Sequence, residues 1–220
     1  MSLPADWPAL NPAQTTAVTA SLDPQLVVAG PGTGKTRVLV CRAAYLLDQH
    51  EPPVTPSRLV LVTFTRRAAH QLTERLSTLV GPEAQHVRAG TIHHFCYETL
   101  RAYADRADVP DDFIVVDDTA TDAFWQGWFQ NHKAWCKEHD LHSHSQVKTH
   151  VSRVKLGIDS VAGRVQSGMQ SYRQMLADRG ALDFDDLLVE TRDLLRARDD
   201  VRAELAEETE ALLVDEFQDT

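Results

Sequence analysis

The octapeptide Ala29-Gly30-Pro31-Gly32-Thr33-Gly34-Lys35-Thr36 constrains this chain more than any other feature. A short apolar run, Gln25-Leu26-Val27-Val28-Ala29, leads into it. After it, Val38, Leu39, Cys41, Arg42, Tyr45 and Leu46 recur at helical spacing from Thr36 to Leu47. An apolar run that ends at glycines reads as a buried strand. Strand, glycine-rich turn and helix is the context that a P-loop requires. Its glycines let backbone N–H groups turn inward around phosphate oxygens, and the helix N-terminus adds its positive dipole end. Gly30, Gly32, Thr33 and Gly34 are the candidate cradle. Lys35 would reach the β- and γ-phosphates, and the Thr36 hydroxyl would bind Mg2+. Ala29 stands at the position that is more often the first glycine.

Such a loop needs a second carboxylate to hold the metal, normally at the end of a neighbouring strand. Leu212-Leu213-Val214-Asp215-Glu216 fits. Asp215 would hold Mg2+, and Glu216 would orient and deprotonate an attacking water. The adjacent glutamate separates a hydrolase from a small-molecule kinase, which has no use for a base that activates water.

The rest of the chain supplies the frame. Arg58–Thr63 reads as a second buried strand, Ala68–Val80 as a helix stopped by Gly81-Pro82, and residues 92–104 as another helix. Ala211–Asp215 is the last strand. Strands alternating with helices predict an α/β fold with a parallel sheet flanked by helices. Residues 106–181 break the pattern: after a short apolar run at Phe113–Val116 they are helical, polar and rich in His and Gln. They read as a mostly helical insertion, giving residues 1–105 and 182–220 to one domain and 106–181 to a subdomain. A sheet that ends directly after a strand lacks its next crossover, so the chain reads as a fragment.

Composition narrows the class. The net charge of −10 belongs to residues 183–220, where 14 acidic residues meet 4 arginines; residues 1–182 balance 18 acids with 18 bases. A local basic groove is therefore permitted. No run approaches the roughly 18 apolar residues of a membrane span. The N-terminus has no basic region followed by an apolar stretch, so a cytoplasmic location is the expectation. Cys41, Cys96 and Cys136 lie far apart and read as small buried hydrophobes.

Further motifs carry a resemblance. Leu10-Asn11-Pro12-Ala13-Gln14, the P-loop with Arg37 behind it, Thr63-Phe64-Thr65-Arg66-Arg67-Ala68-Ala69, Gly90-Thr91-Ile92-His93-His94-Phe95, Leu182-Asp183-Phe184-Asp185-Asp186-Leu187-Leu188 and Asp215-Glu216-Phe217-Gln218-Asp219-Thr220 occur in order. Together they resemble superfamily 1 DNA helicases of the UvrD/Rep type over essentially the whole chain. The departures are Arg66, Arg67, Ile92 and His94, where the family usually has Asn, Lys, Phe and Ser.

The resemblance implies a RecA-like P-loop NTPase domain that uses ATP and Mg2+ and moves 3′-to-5′ on single-stranded DNA. It implies that Gln14 reads the adenine edge, to which a primary amide offers one donor and one acceptor type. It makes Gln218 the link between the γ-phosphate and DNA, and Thr63, Phe64, Arg66, Thr91 and His93 the candidate DNA contacts. It places the insertion at duplex junctions and calls for a second RecA-like domain beyond Thr220, whose arginines complete the site. The catalytic set is then Lys35, Asp215, Glu216 and Gln218. Two alternatives stay open: the motor part of a RecB/AddA-like helicase–nuclease, and a nucleotide-gated binding module without unwinding activity.

Other features take plainer readings. Phe124, Trp125, Trp128, Phe129 and Trp135 at helical spacing are expected to form the core of the insertion rather than a base-stacking platform. Asp183, Asp185 and Asp186 precede a helix and are expected to cap it. His132, His139, His142, His144 and His150 read as a solvated face. Lys148, Arg153, Lys155 and Arg164 are a sparse basic set, equally suited to duplex contact or to solvent.

Overall fold

The computed structural model describes residue 4 and residues 7–160 and 163–219. Along the chain run α1 (Pro12–Thr19), α2 (Lys35–Asp48), β1 (Leu59–Thr63), α3 (Arg66–Val80), β2 (Arg88–Thr91), α4 (Ile92–Ala102), β3 (Ile114–Val115), α5 (Asp118–Asn131), α6 (Lys133–Glu138), α7 (His144–Lys155), α8 (Arg164–Ala177), β4 (Ala181–Leu182), α9 (Phe184–Ala197), α10 (Asp199–Glu207) and β5 (Ala211–Val214). They form two compact units, residues 1–95 with 202–220 and residues 96–201. The expected boundaries at 105/106 and 181/182 both fall within the second unit.

The first unit holds a parallel sheet of order β2-β1-β5. Every residue of the central strand β1 is buried. A strand covered on both faces needs a continuous apolar run, and Leu59-Val60-Leu61-Val62 supplies it. The core is aliphatic: Leu46, Leu59, Leu61, Leu72 and Leu76 pack with Val18, Cys41 and Ala43. Helix α3 starts at Arg66, two residues before the expected position, because the Thr65 hydroxyl accepts from the Ala68 N–H at 3.1 Å and caps it. It ends at Gly81, whose φ of +76° suits a residue without Cβ. The expected α/β fold, a parallel sheet flanked by helices, is present.

One expected strand is not. Gln25–Ala29 makes no ladder, and Leu26 and Val28 are 74% and 85% exposed. A strand exists only with a hydrogen-bonded neighbour. Among the described residues none pairs with this segment, and β5 is the last strand on its side of the sheet.

The second unit is helical. Its core is aromatic, with Trp125, Trp128 and Tyr172 packed on Val147, Val151, Val165 and Met169. The aromatic residues of α5 are therefore core, as their spacing predicts. Gly168 on α8 admits the Trp128 indole: a Cβ there would stand 2.6 Å from its Nε1. The short strands β3 and β4 pair in parallel, Ile114 with Ala181 and Val115 with Leu182. Asp183 caps α9 in a reciprocal box with Asp186.

The sparse basic set needs correction. Lys155 is buried, with its ammonium 2.6 Å from Asp183 Oδ2 and 2.8 Å from Asp186 Oδ1. Lys148 lies 2.8 Å from both Asp118 and Asp122, and Arg153 donates to both carboxylate oxygens of Asp159. Three of the four cations are thus held by local carboxylates, a pairing that sequence order does not reveal. All three cysteines are free and buried. Among the described residues no cluster of His, Cys, Asp and Glu could hold a metal ion, and no helix is long and apolar enough to cross a membrane.

Candidate active site

Parallel strands bring their C-terminal ends to one edge of a sheet, where open α/β folds place ligands. Thr63 lies in register with Thr91, and Val62 with Val214. The Asp215 N–H then donates to the Val62 carbonyl at 2.8 Å, carrying the ladder one residue further. Thr63, Thr91 and Asp215 therefore end three neighbouring strands on the same edge.

The P-loop is shaped by its own bonds. The Thr33 hydroxyl donates to the Gly30 carbonyl at 2.7 Å. Gly32 and Gly34 have φ of +74° and +93°, and Gly34 leads directly into α2. A side chain at Gly34 would also crowd Gln14, because its Cβ would come within 3.1 Å of the Gln14 amide nitrogen.

Asp215 is where the two ends of the sequence meet. Burial pushes its carboxyl up from the ordinary range, and the Glu216 charge adds to this. The Glu216 backbone N–H, the Lys35 ammonium and a hydrogen bond from the Thr36 hydroxyl oppose the rise. Lys35 and Thr36 of the P-loop are thus near enough to Asp215 to favour its charged form. A threonine hydroxyl beside a carboxylate is an all-oxygen donor set, which fits Mg2+. Glu216 follows with φ of +49°, a left-handed conformation that is strained for a residue with a side chain. Gln218 donates its amide to Glu216 Oε2 at 2.5 Å.

Gln14 is anchored from two sides. Its carbonyl accepts from the Asn11 N–H at 3.0 Å, and its amide donates to the Thr33 carbonyl at 3.0 Å. These bonds use one lone pair and one hydrogen. One acceptor site and one donor remain on the amide. Arg37 is exposed on the first turn of α2.

The candidate DNA contacts divide by exposure. Phe64 is 61% exposed and Arg66 is exposed beside it. Thr63 is only 2% exposed, and the Thr91 hydroxyl accepts from the His94 N–H at 3.2 Å. His93 is half-buried on the first turn of α4.

Residues 10–220 match the family of the UvrD/REP helicase N-terminal domain. The chain belongs to this family. Among UvrD/REP relatives it is similar to the ATP-dependent DNA helicase PcrA of Staphylococcus aureus (strain NCTC 8325 / PS 47), with 32% identity over 219 residues. PcrA of Staphylococcus epidermidis (strain ATCC 12228 / FDA PCI 1200) is likewise 32% identical over 219 residues. Each alignment covers 96% of this chain and 30% of the relative. The chain therefore spans about a third of the length of the curated relatives it matches.

Two residues of this UvrD/REP domain escaped the sequence reading. Asn11 completes the capping box that fixes Gln14, accepting from the Gln14 N–H at 2.9 Å. The pattern Asn-Pro-x-Gln, a cap three residues before a glutamine, was the available signal. Arg42 lies on the buried stripe of α2 and donates to the carbonyls of Val18, Ala20 and Ser21. A charge on an otherwise apolar stripe marked it.

Proposed function

We propose that this chain is the ATP-binding part of a DNA motor that couples ATP hydrolysis to 3′-to-5′ movement on single-stranded DNA and to unwinding at duplex junctions. The observation that carries the reading is a glycine-shaped P-loop leading into α2 in the same unit as Asp215, which ends β5 at the C-terminal edge of a parallel sheet. Membership of the UvrD/REP helicase family supports it, as do the PcrA relatives named as ATP-dependent DNA helicases.

In this reading the N–H groups of Gly32–Thr36 surround the phosphates, Gly30 shapes the turn, and the Lys35 ammonium neutralises charge on the β- and γ-oxygens. Thr36 and Asp215 hold Mg2+, which when bound polarises the phosphate oxygens. Glu216 accepts the proton of the attacking water, and its strained backbone fixes the direction in which the carboxylate points. Gln218, bonded to that carboxylate, passes the state of the γ-phosphate toward the DNA contacts. Gln14 turns its remaining donor and acceptor to N7 and the N6 amino group of adenine. Arg37 stays beside the phosphates. Phe64 stacks on a base, while Arg66, Thr91, His93 and Thr63 line the strand.

The chain matches 30% of its relatives' length, and a second RecA-like domain is proposed to complete the site. These 220 residues alone are then expected to bind Mg–ATP weakly and turn it over poorly. Titration of the chain with a fluorescent ATP analogue tests the core of the proposal. Lys35→Ala should lower affinity at least tenfold. Unchanged affinity would sink the site assignment, and robust DNA-stimulated turnover by this chain alone would overturn the need for a second domain.

A further inference from the structure

Helix α1 is eight residues long and buries only Val18. A helix this short does not hold itself together in water. Val18 anchors it in the core, and two polar grips from the P-loop and α2 hold its ends. At the first end, Gln14 donates to the Thr33 carbonyl of the loop at 3.0 Å. At the far end, the Arg42 guanidinium donates Nη1 to the Val18 carbonyl at 2.8 Å, Nη1 also to the Ala20 carbonyl, and Nη2 to the Ser21 carbonyl at 2.6 Å.

The last carbonyls of a helix have no partner within it, and a cation there also meets the negative end of the dipole. Arg42 answers both needs while itself buried. Its planar fork reaches three carbonyls at once, which a lysine ammonium does not match in geometry. One grip holds Gln14 on the first turn of α1, and the other holds Val18, Ala20 and Ser21 at and beyond its last turn, so a shift of α1 along its axis would break both together. Arg42 is remote from the phosphate-facing atoms, which lie at the start of α2.

We propose that Arg42 is a positioning residue for base recognition: by clamping the far end of α1, it fixes where Gln14 stands. It governs affinity for the adenine part of the nucleotide and leaves phosphate binding alone. The inference rests on the proposed role of Gln14 at the adenine edge.

The test uses the chain in competition titrations, with Mg–ATP and Mg–tripolyphosphate displacing a fluorescent ATP analogue. Tripolyphosphate has no base, so the ratio of the two affinities isolates the base contribution. Arg42→Met should lower Mg–ATP affinity about tenfold and leave Mg–tripolyphosphate affinity within about twofold. Arg42→Lys should lower the ratio about threefold, a partial rescue. Gln14→Ala should lower the ratio as far as Arg42→Met, and the double variant should lose nothing beyond Gln14→Ala, as residues acting through one contact do.

An equal fall for both ligands in Arg42→Met would mean a structural role in the loop and would overturn the proposal. A lowered ratio in Gln14→Ala with unchanged ratios in both Arg42 variants would overturn the Arg42 inference alone. An unchanged ratio in Gln14→Ala would remove the adenine role of Gln14 and the inference with it. Should Arg42→Met not melt cooperatively, Arg42→Lys decides: a lowered ratio supports the proposal and an unchanged one overturns it.

Discussion

The helical unit and the nucleotide site answer their polar groups differently. In the helical unit the polar groups close on one another. Lys155 is bonded by Asp183 and Asp186, its ammonium sits 5.1 Å from the centre of the Tyr172 ring, and the Tyr172 hydroxyl meets Thr121 at 2.9 Å. In the nucleotide unit Arg42 closes in the same way on the carbonyls of Val18, Ala20 and Ser21, and the contrast lies in the groups around the P-loop. Asp215 is buried with its carboxyl pushed up, Glu216 is strained, and Gln14 retains an unused donor and acceptor. A raised carboxyl alone does not mark a site, because burial pushes Asp186 up as well; what sets Asp215 apart is its place at the end of β5 in the unit that carries the P-loop. The aspartates of Leu182–Leu188 and of Asp215–Thr220 look alike in sequence. The bonds around them separate cap from site.

The sharpest way to break this contrast is Lys155→Met. It leaves the buried Asp183 and the partly buried Asp186 without their cation, and the expected loss is about 3–5 kcal/mol in urea denaturation. A loss below about 1 kcal/mol would mean that the network is solvated and the contrast is false. Next comes Gly168→Ala, which drives a methyl group into the Trp128 indole. An over-packed core should lose about 1–3 kcal/mol, read from the same denaturation curves.

The nucleotide unit should respond with the other sign. The folded pKa of Asp215 lies above its unfolded value, so its contribution to stability is fully present below the unfolded pKa and is lost as pH rises through the folded one. At neutral pH the ionised carboxylate therefore opposes folding. Asp215→Asn should raise stability at pH 7 while removing the Mg2+ dependence of nucleotide binding. The gain should shrink as pH falls through the raised pKa, where the native residue is neutral as well. A destabilised Asp215→Asn variant at pH 7 would remove the evidence that the site is held at a disadvantage. The smallest effect belongs to Asn11→Ala, which deletes the cap of α1 for about 1 kcal/mol. Melting curves should show the loss, and hydrogen exchange should show it concentrated in residues 12–19.

What the sequence made legible was local chemistry. The P-loop, Asp215-Glu216, the Asp183 cap and the strand Leu59–Thr63 are each read from a few adjacent residues, because glycine conformation, capping and continuous burial leave marks on the neighbours. What stayed hidden depended on distant partners. Arg42 bonds backbone carbonyls of residues 18–21, and a carbonyl has no sequence signature. Lys155 looked like one of four surface cations, since nothing in sequence order joins it to Asp183. The apolar run at 25–29 has the composition of a strand, but composition does not provide the neighbour that a strand must bond. Gln14 was legible as a candidate reader of adenine and its capping box with Asn11 was readable as a local pattern, yet its bond to the Thr33 carbonyl emerged only from the placing of α1 beside the P-loop.

The outer side of β5 has a consequence for the chain as a solution species. Its central residue Leu212 is 55% exposed, and the segment carrying Leu26 and Val28 presents bare apolar side chains in the same unit. Unpaired strand edges and exposed apolar runs are templates for intermolecular β-pairing. These 220 residues should therefore associate as concentration rises, with light scattering growing well below the unfolding transition. A lysine at position 212 should suppress that association without touching the P-loop.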